Sequence, residues 1–292
     1  MPPIQPQNPL QLPTLKCTLG CPILDRLLDG GIPTNSITEL VSEAGCGKTQ
    51  LSLQLLLCAQ LPLSRGGLSA SSLYIHTEFP FPFRRLHQLS LSFRSPDDSS
   101  DPCDRIFVHA AHSADDLLAL LDRVDALLSN LHSPLPPVKL IVIDSIAALF
   151  RSEFENCPSD LKRRSSLFFR IAGKLKVQAE RFGLAVVVTN QVMDLVGGDE
   201  VNGLKVGNFL ELYSSGRRVC PALGISWANC VNSRVFLSRS DEVWNADSGS
   251  ENQEELGGCV RTRRRMQVVF APHLPESSCE FVIVREGVFG VG

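Results

Sequence analysis

Apolar residues recur along this chain in two alternating rhythms. Short, nearly continuous apolar runs fall at Ile37–Val41, Leu73–Thr77, Arg105–His109, Val138–Asp144 and Leu184–Asn190. Between them, three- and four-residue spacing predicts helices over Lys48–Leu61, Pro82–Phe93, Ala114–Leu131 and Asp160–Phe182. Runs that stay apolar at nearly every position suit strands covered on both faces, whereas a half-exposed strand would alternate. Strand and helix in regular succession predict an α/β fold, a mostly parallel sheet with helices on both faces.

The rhythm changes after Gln191. A glycine-rich polar stretch runs to about Val219, and strand-like patterns then follow at Gly224–Leu237, Met266–Ala271 and Phe281–Val284. These read as C-terminal antiparallel strands added to the sheet edge. Ser240–Gly258 is acidic and rich in Ser, Asn and Gln, which predicts a mobile insertion. Residues 1–16, rich in proline and amides, read as a flexible N-terminal arm, leaving 17–292 as one folded domain. At 292 residues and 43% apolar, the chain can fill one large core without needing a second.

Candidate chemistry concentrates where the apolar runs end, because a doubly wound sheet gathers its ligand at the carboxyl ends of its strands. The run ending at Val41 delivers Ser42-Glu43-Ala44-Gly45-Cys46-Gly47-Lys48-Thr49 into a helical pattern. That arrangement suits a phosphate cradle more than a mere glycine-rich turn. Backbone N–H groups from Glu43 to Thr49 can wrap a β-phosphate, Lys48 can reach the β- and γ-phosphates, and the Thr49 hydroxyl can ligate Mg²⁺. Ser42 stands where the consensus has its first glycine, while Gly45 and Gly47 keep the turn free of Cβ. Asp144 closes Lys-Leu-Ile-Val-Ile-Asp, where a carboxylate can hold Mg²⁺ through its water shell. Glu78 follows Tyr-Ile-His-Thr and can serve as general base toward an attacking water, or simply as a helix-start carboxylate. Asn190-Gln191 places an amide where it can sense a γ-phosphate and pass that state to the next loop. ATP and Mg²⁺ are the cofactors this set predicts.

Charge and cysteine usage narrow the classes. A formal net charge of −3 excludes a binder that works by bulk positive potential, so any DNA contact has to be local. The ten cysteines form no C-x-x-C pair, which argues against a zinc ribbon or a disulfide framework. No signal pattern opens the chain and no apolar stretch reaches membrane-spanning length, so an intracellular protein with no membrane partner is expected. Arg261, Arg263, Arg264 and Arg265 read either as a nuclear-import patch or as the solvated face of a strand.

Lys48-Thr49, Glu78, Asp144 and Thr189-Asn190-Gln191, with Thr18-Leu-Gly-Cys-Pro-Ile-Leu-Asp upstream, resemble the ATPase core of the RecA-type recombinases. Pro221-Ala-Leu-Gly-Ile-Ser-Trp-Ala-Asn and Ala271-Pro-His-Leu-Pro-Glu narrow the resemblance to the eukaryotic recombinases and their paralogues. It implies a RecA-like P-loop ATPase core and a nuclear role in homologous-recombination repair of double-strand breaks and crosslinks. It also implies three kinds of partner: another recombinase paralogue in a heterodimer, the main recombinase, and single-stranded or branched DNA. Pro272 would cap a neighbour's ATP.

The same resemblance places two DNA-facing loops, one over about Phe150–Ser166 with Arg151, Lys162, Arg163 and Arg164, the other over Val192–Val219 with Arg217 and Arg218. Residues 151–181 hold eight basic and four acidic side chains, a local surplus, whereas the second loop has three basic against four acidic and suits phosphate poorly. Two departures matter. Residues 1–16 contain neither the family's N-terminal helical DNA-binding module nor its Phe-x-x-Ala assembly strand, so self-propagating assembly is not expected. Ser42 predicts slow hydrolysis, making the chain a weak DNA-dependent ATPase that uses ATP chiefly as an interface ligand. A self-assembling strand-exchange ATPase and a scaffold that hardly uses nucleotide are the competing readings.

Overall fold

The computed structural model describes residues 14–78, 80–94, 101–129, 134–151, 154, 157–195, 200–201, 204–205, 212–244 and 259–292. Most of the expected N-terminal arm and residues 245–258 of the expected insertion therefore lie outside the described residues. In chain order the elements are β1 (Lys16–Cys17), α1 (Pro22–Leu27), β2 (Ile32–Pro33), β3 (Ser36–Val41), α2 (Lys48–Cys58), β4 (Ser71–His76), α3 (Phe83–Ser90), β5 (Ile106–Ala110), α4 (Ala114–Leu128), β6 (Val138–Asp144), α5 (Pro158–Phe182) and β7 (Ala185–Asn190). Beyond them come β8 (Val192–Asp194), β9 (Glu200–Val201), β10 (Leu204–Lys205), β11 (Leu212–Ser214), β12 (Arg217–Pro221), α6 (Gly224–Ala228), β13 (Ser233–Trp244), β14 (Cys259–Phe270), β15 (Ser278–Ile283) and β16 (Val288–Val291).

Among the described residues nine strands form one sheet in the order β16-β15-β14-β13-β3-β7-β6-β4-β5. From β13 to β5 every pairing is parallel, and β14, β15 and β16 add antiparallel. Four of the five apolar runs are buried on both faces, as their lack of alternation predicts, while the edge strand β5 is only half-buried. Within β6, Leu140 and Val142 join one core with Leu24, Leu51, Leu55 and Leu86 of the helices α1 to α3. Ile141 and Ile143 face the other core, where Leu117, Phe168, Ile171 and Trp227 of α4, α5 and α6 meet them. Helix α2 is buried from Leu51 to Cys58, polar Gln54 included.

Gln54 has a specific task at the sheet edge. Its amide donates to Leu19 O (2.5 Å) and Val288 O (3.0 Å) and accepts from Val288 N (2.6 Å), while Gly290 N donates to Cys21 Sγ (3.2 Å). These contacts occupy outward backbone groups of β16 that would otherwise template pairing with another strand. Gly290 allows the approach, since a Cβ there would stand 2.6 Å from Ile23 Cγ2.

Four sequence expectations are corrected. Gly224–Ala228 is helical because Leu223 and Trp227, four residues apart, both bury against the α5 side of the core, and the strand starts only at Ser233. That strand, β13, is parallel to β3, so the antiparallel additions are β14 to β16. It runs past Ser240 to Trp244, with β14 resuming at Cys259 and containing the arginine run; ladder pairing from Arg234↔Phe270 to Trp244↔Cys259, with a register shift between Arg234 and Val235, carries the strand into the start of the expected insertion. Helix α5 starts at Pro158, as expected of proline at a helix start, so Lys162, Arg163 and Arg164 stand on the helix expected over Asp160–Phe182, and the DNA-facing loop expected to reach Ser166 gives way to helix at Pro158.

Candidate functional site

The strand β3 ends at Val41, and the next residues curl back so that α2 starts at Lys48 with its first N–H groups facing the loop. Gly47, at φ 112°, makes that turn, and a Cβ on it would lie 2.6 Å from Ile283 Cδ1. Lys48 folds into the loop, its Nζ donating to Ser42 O (2.7 Å), Ser42 Oγ (2.8 Å) and Glu43 O (3.1 Å). The serine at the consensus-glycine position thus adds an acceptor for the lysine. Burial pushes the Lys48 ammonium below the usual lysine range, and Asp144 pulls it partly back.

Asp144 gathers three hydroxyls from three elements. Its Oδ2 accepts from Thr49 (2.7 Å) and Tyr74 (2.6 Å), and its Oδ1 from Thr189 (2.6 Å). Burial, and then the Asp144 charge, push the Tyr74 phenol well up, which keeps it protonated as a donor. Thr49 and Asp144 form a hard oxygen set beside Lys48, and this donor set fits Mg²⁺ together with an anionic phosphate. Tyr74 and Thr189 were not singled out as Asp144 partners from sequence; for Thr189 the signal available was a hydroxyl following the aliphatic run Ala185–Val188.

Across from the loop, Gln191 Nε2 lies 3.3 Å from Glu78 Oε2, so the structure brings together the two residues expected to act on a terminal phosphate. Arg151, expected at DNA, ion-pairs with Glu78 at 3.2 Å. Asn190 does not share the role open to Gln191: its Nδ2 donates to Glu39 (2.7 Å) and its Oδ1 accepts from Gln191 N (2.8 Å). Glu39 itself is fully buried and also accepts from Trp227 Nε1 (2.8 Å) and Arg234 Nε (2.5 Å). Nothing in the linear pattern around Glu39 announces this cluster.

The remaining candidates are spread out. Arg217 donates to Asp194 and to Glu43 of the loop, and Arg218 lies opposite Tyr213 in the β11–β12 pair. Lys162 is exposed, Arg163 pairs with Asp115 (3.4 Å) above the Phe154 ring, and Arg164 lies over Phe168. Pro272 does not join its own chain's phosphate loop. It lines a cleft with Lys16, Asp29, Ser36, Asn232 and His273, at the strand ends opposite the loop. No group of three metal-ligating side chains and no helix long and apolar enough to cross a membrane occurs among the described residues.

Comparison with known proteins agrees with this geometry. The Rad51 family model matches residues 11–206. The DNA repair protein XRCC3 homolog of Arabidopsis thaliana is 56% identical, covering 99% of this chain and 98% of its own length. The DNA repair protein XRCC3 of Mus musculus is 36% identical over 94% of this chain and 75% of its own. The DNA repair and recombination protein RadA of Aeropyrum pernix is 32% identical over 94% and 72%. With the phosphate loop, the strand-end carboxylates and this sequence identity in agreement, the chain belongs to the Rad51 family as an XRCC3-like recombinase paralogue.

Proposed function

We propose that this protein binds ATP and Mg²⁺ at residues 42–49 and Asp144 and serves homologous-recombination repair of DNA in the nucleus, as one member of a heteromeric complex with another recombinase paralogue that assists the main recombinase. The observation that carries this reading is the convergence of Lys48, Thr49, Asp144, Glu78 and Gln191 at the carboxyl ends of adjacent strands. Lys48 and the α2 N-terminus would hold the phosphates. Thr49 and Asp144 would hold Mg²⁺, which supplies charge neutralisation at the transferring phosphoryl group. Glu78 would orient the attacking water, and Gln191 would report the terminal phosphate to the segment that follows.

The engaged state of these groups supports slow turnover. Lys48 is held by Ser42 and Glu43, and Glu78 by Arg151, so both must exchange partners before hydrolysis. Pro272, remote from its own loop, is the residue we assign to a neighbour's nucleotide. Arg151, Lys162, Arg163, Arg164, Arg217 and Arg218 are the assigned DNA contacts.

Light scattering on the purified protein tests the reading, with and without ATP-Mg²⁺ and single-stranded DNA, alone and with a recombinase paralogue. A protein that stays small alone and gains a nucleotide-strengthened one-to-one complex supports it. ATP-driven homo-oligomers coating DNA would instead establish a self-sufficient strand-exchange ATPase.

A further inference from the structure

The backbone of Glu43 belongs to the phosphate loop, yet its side chain turns away and is almost fully buried. Its Oε1 accepts from Ser214 Oγ (2.7 Å), Ser215 Oγ and Arg239 Nε (3.2 Å), and its Oε2 from Arg217 Nη2 (2.8 Å). All but Arg239 come from the hairpin β11–β12, which closes the stretch after Gln191. Arg217 also donates through Nη1 to both oxygens of Asp194 on β8 (2.8 and 3.0 Å). Arg239 binds the hairpin again, through its N–H to Ser214 Oγ (3.1 Å) and its carbonyl to Ser215 N (2.7 Å). Its guanidinium lies behind the loop, 3.0 Å from where a Cβ on Gly45 would stand.

We propose that the Glu43 side chain is a positioning residue that fastens the β11–β12 hairpin to the phosphate loop and makes the hairpin respond to bound nucleotide. The route is short. Lys48 Nζ now holds the carbonyl of Glu43 (3.1 Å), and phosphate oxygens compete for that ammonium. When Lys48 turns to phosphate, the Glu43 peptide is released and its carboxylate shifts against two guanidinium groups and two hydroxyls. Because coupling is reciprocal, a ligand that engages the β11–β12 hairpin changes nucleotide affinity by the same factor. This inference rests on the assignment of residues 42–49 to nucleotide.

Hydrogen exchange read by mass spectrometry, at saturating ATPγS and Mg²⁺, separates the two ideas. In the wild type, nucleotide slows exchange at 42–49 and alters it across 212–221 by about fivefold or more, the low end of ordinary coupling. Glu43→Gln keeps the shape but removes the charge, and the nucleotide-dependent change across 212–221 is lost; Glu43→Asp restores part of it. Ser214→Ala/Ser215→Ala, altered only on the hairpin, keeps the response at 42–49 and loses most of that at 212–221. No response at 42–49 in the wild type would overturn the nucleotide assignment and the relay with it. A response at 212–221 that survives both Glu43→Gln and the serine pair overturns the relay alone.

Discussion

Replacing Arg234 with methionine tests the buried cluster around Glu39 most directly. Arg234 is 3% exposed and Glu39 0%, so removing the guanidinium leaves a carboxylate in the core with only the neutral donors of Asn190 and Trp227. Breaking a buried pair by removing one partner costs about 3–5 kcal/mol. For a chain of this size, about 2 °C of melting temperature accompanies each kcal/mol, so Arg234→Met should melt about 6–10 °C lower. Glu39→Gln should cost a similar amount, because it leaves the arginine charge unpaired, and Arg234 Nη2 is already buried without a partner. The double variant Glu39→Gln/Arg234→Met removes both charges, and the new amide oxygen can still accept from Asn190 and Trp227. Its cost should fall to about 1–3 kcal/mol, that of one unsatisfied amide donor. Thermal melts of the wild type and these three variants complete the cycle. A loss under about 2 °C for Arg234→Met, or a double variant as damaged as the two singles summed, would refute the reasoning.

Lys48→Ala should weaken binding of a fluorescent ATP analogue about 10- to 100-fold, the worth of a charge-assisted contact; unchanged affinity would favour a scaffold that hardly uses nucleotide. Ser42→Gly removes one of the three acceptors holding Lys48 Nζ and should raise ATPγS affinity by about 3- to 10-fold, a rise that titration calorimetry would detect. Burial alone would raise the Glu43 carboxyl, but the Ser215, Ser214, Arg217 and Arg239 contacts together hold it below its ordinary 4.5. The stability it contributes is therefore complete above pH 4.5 and lost as pH falls through the lowered value. The melting difference between wild type and Glu43→Gln, measured from pH 7 downward, should close in that acid window and not before it.

The legible parts were those governed by local pattern. Strand Val138–Asp144 has the bounds expected of it, and the phosphate loop lies where a strand-loop-helix succession puts it. Gly224–Ala228 misled because five residues are too short for either periodicity to declare itself, and the burial of Trp227 decided the matter. Ser240–Trp244 misled because ladder hydrogen bonds are indifferent to side-chain polarity. Arg151 and Arg217 read as free cations in sequence, and each has a carboxylate partner from a distant segment.

Residue order by itself determined the α/β succession, the doubly covered strands, the Lys48–Thr49 loop and the carboxylate at the end of β6, since each depends on neighbours within a turn or a strand. Only the tertiary structure decided that Asn190 serves Glu39 while Gln191 faces Glu78, and that Glu43 gathers Arg217 and Arg239. Those pairings join residues some 113 to 196 positions apart. No periodicity spans such distances; a buried carboxylate takes whichever donors the sheet order brings within about 3 Å of it.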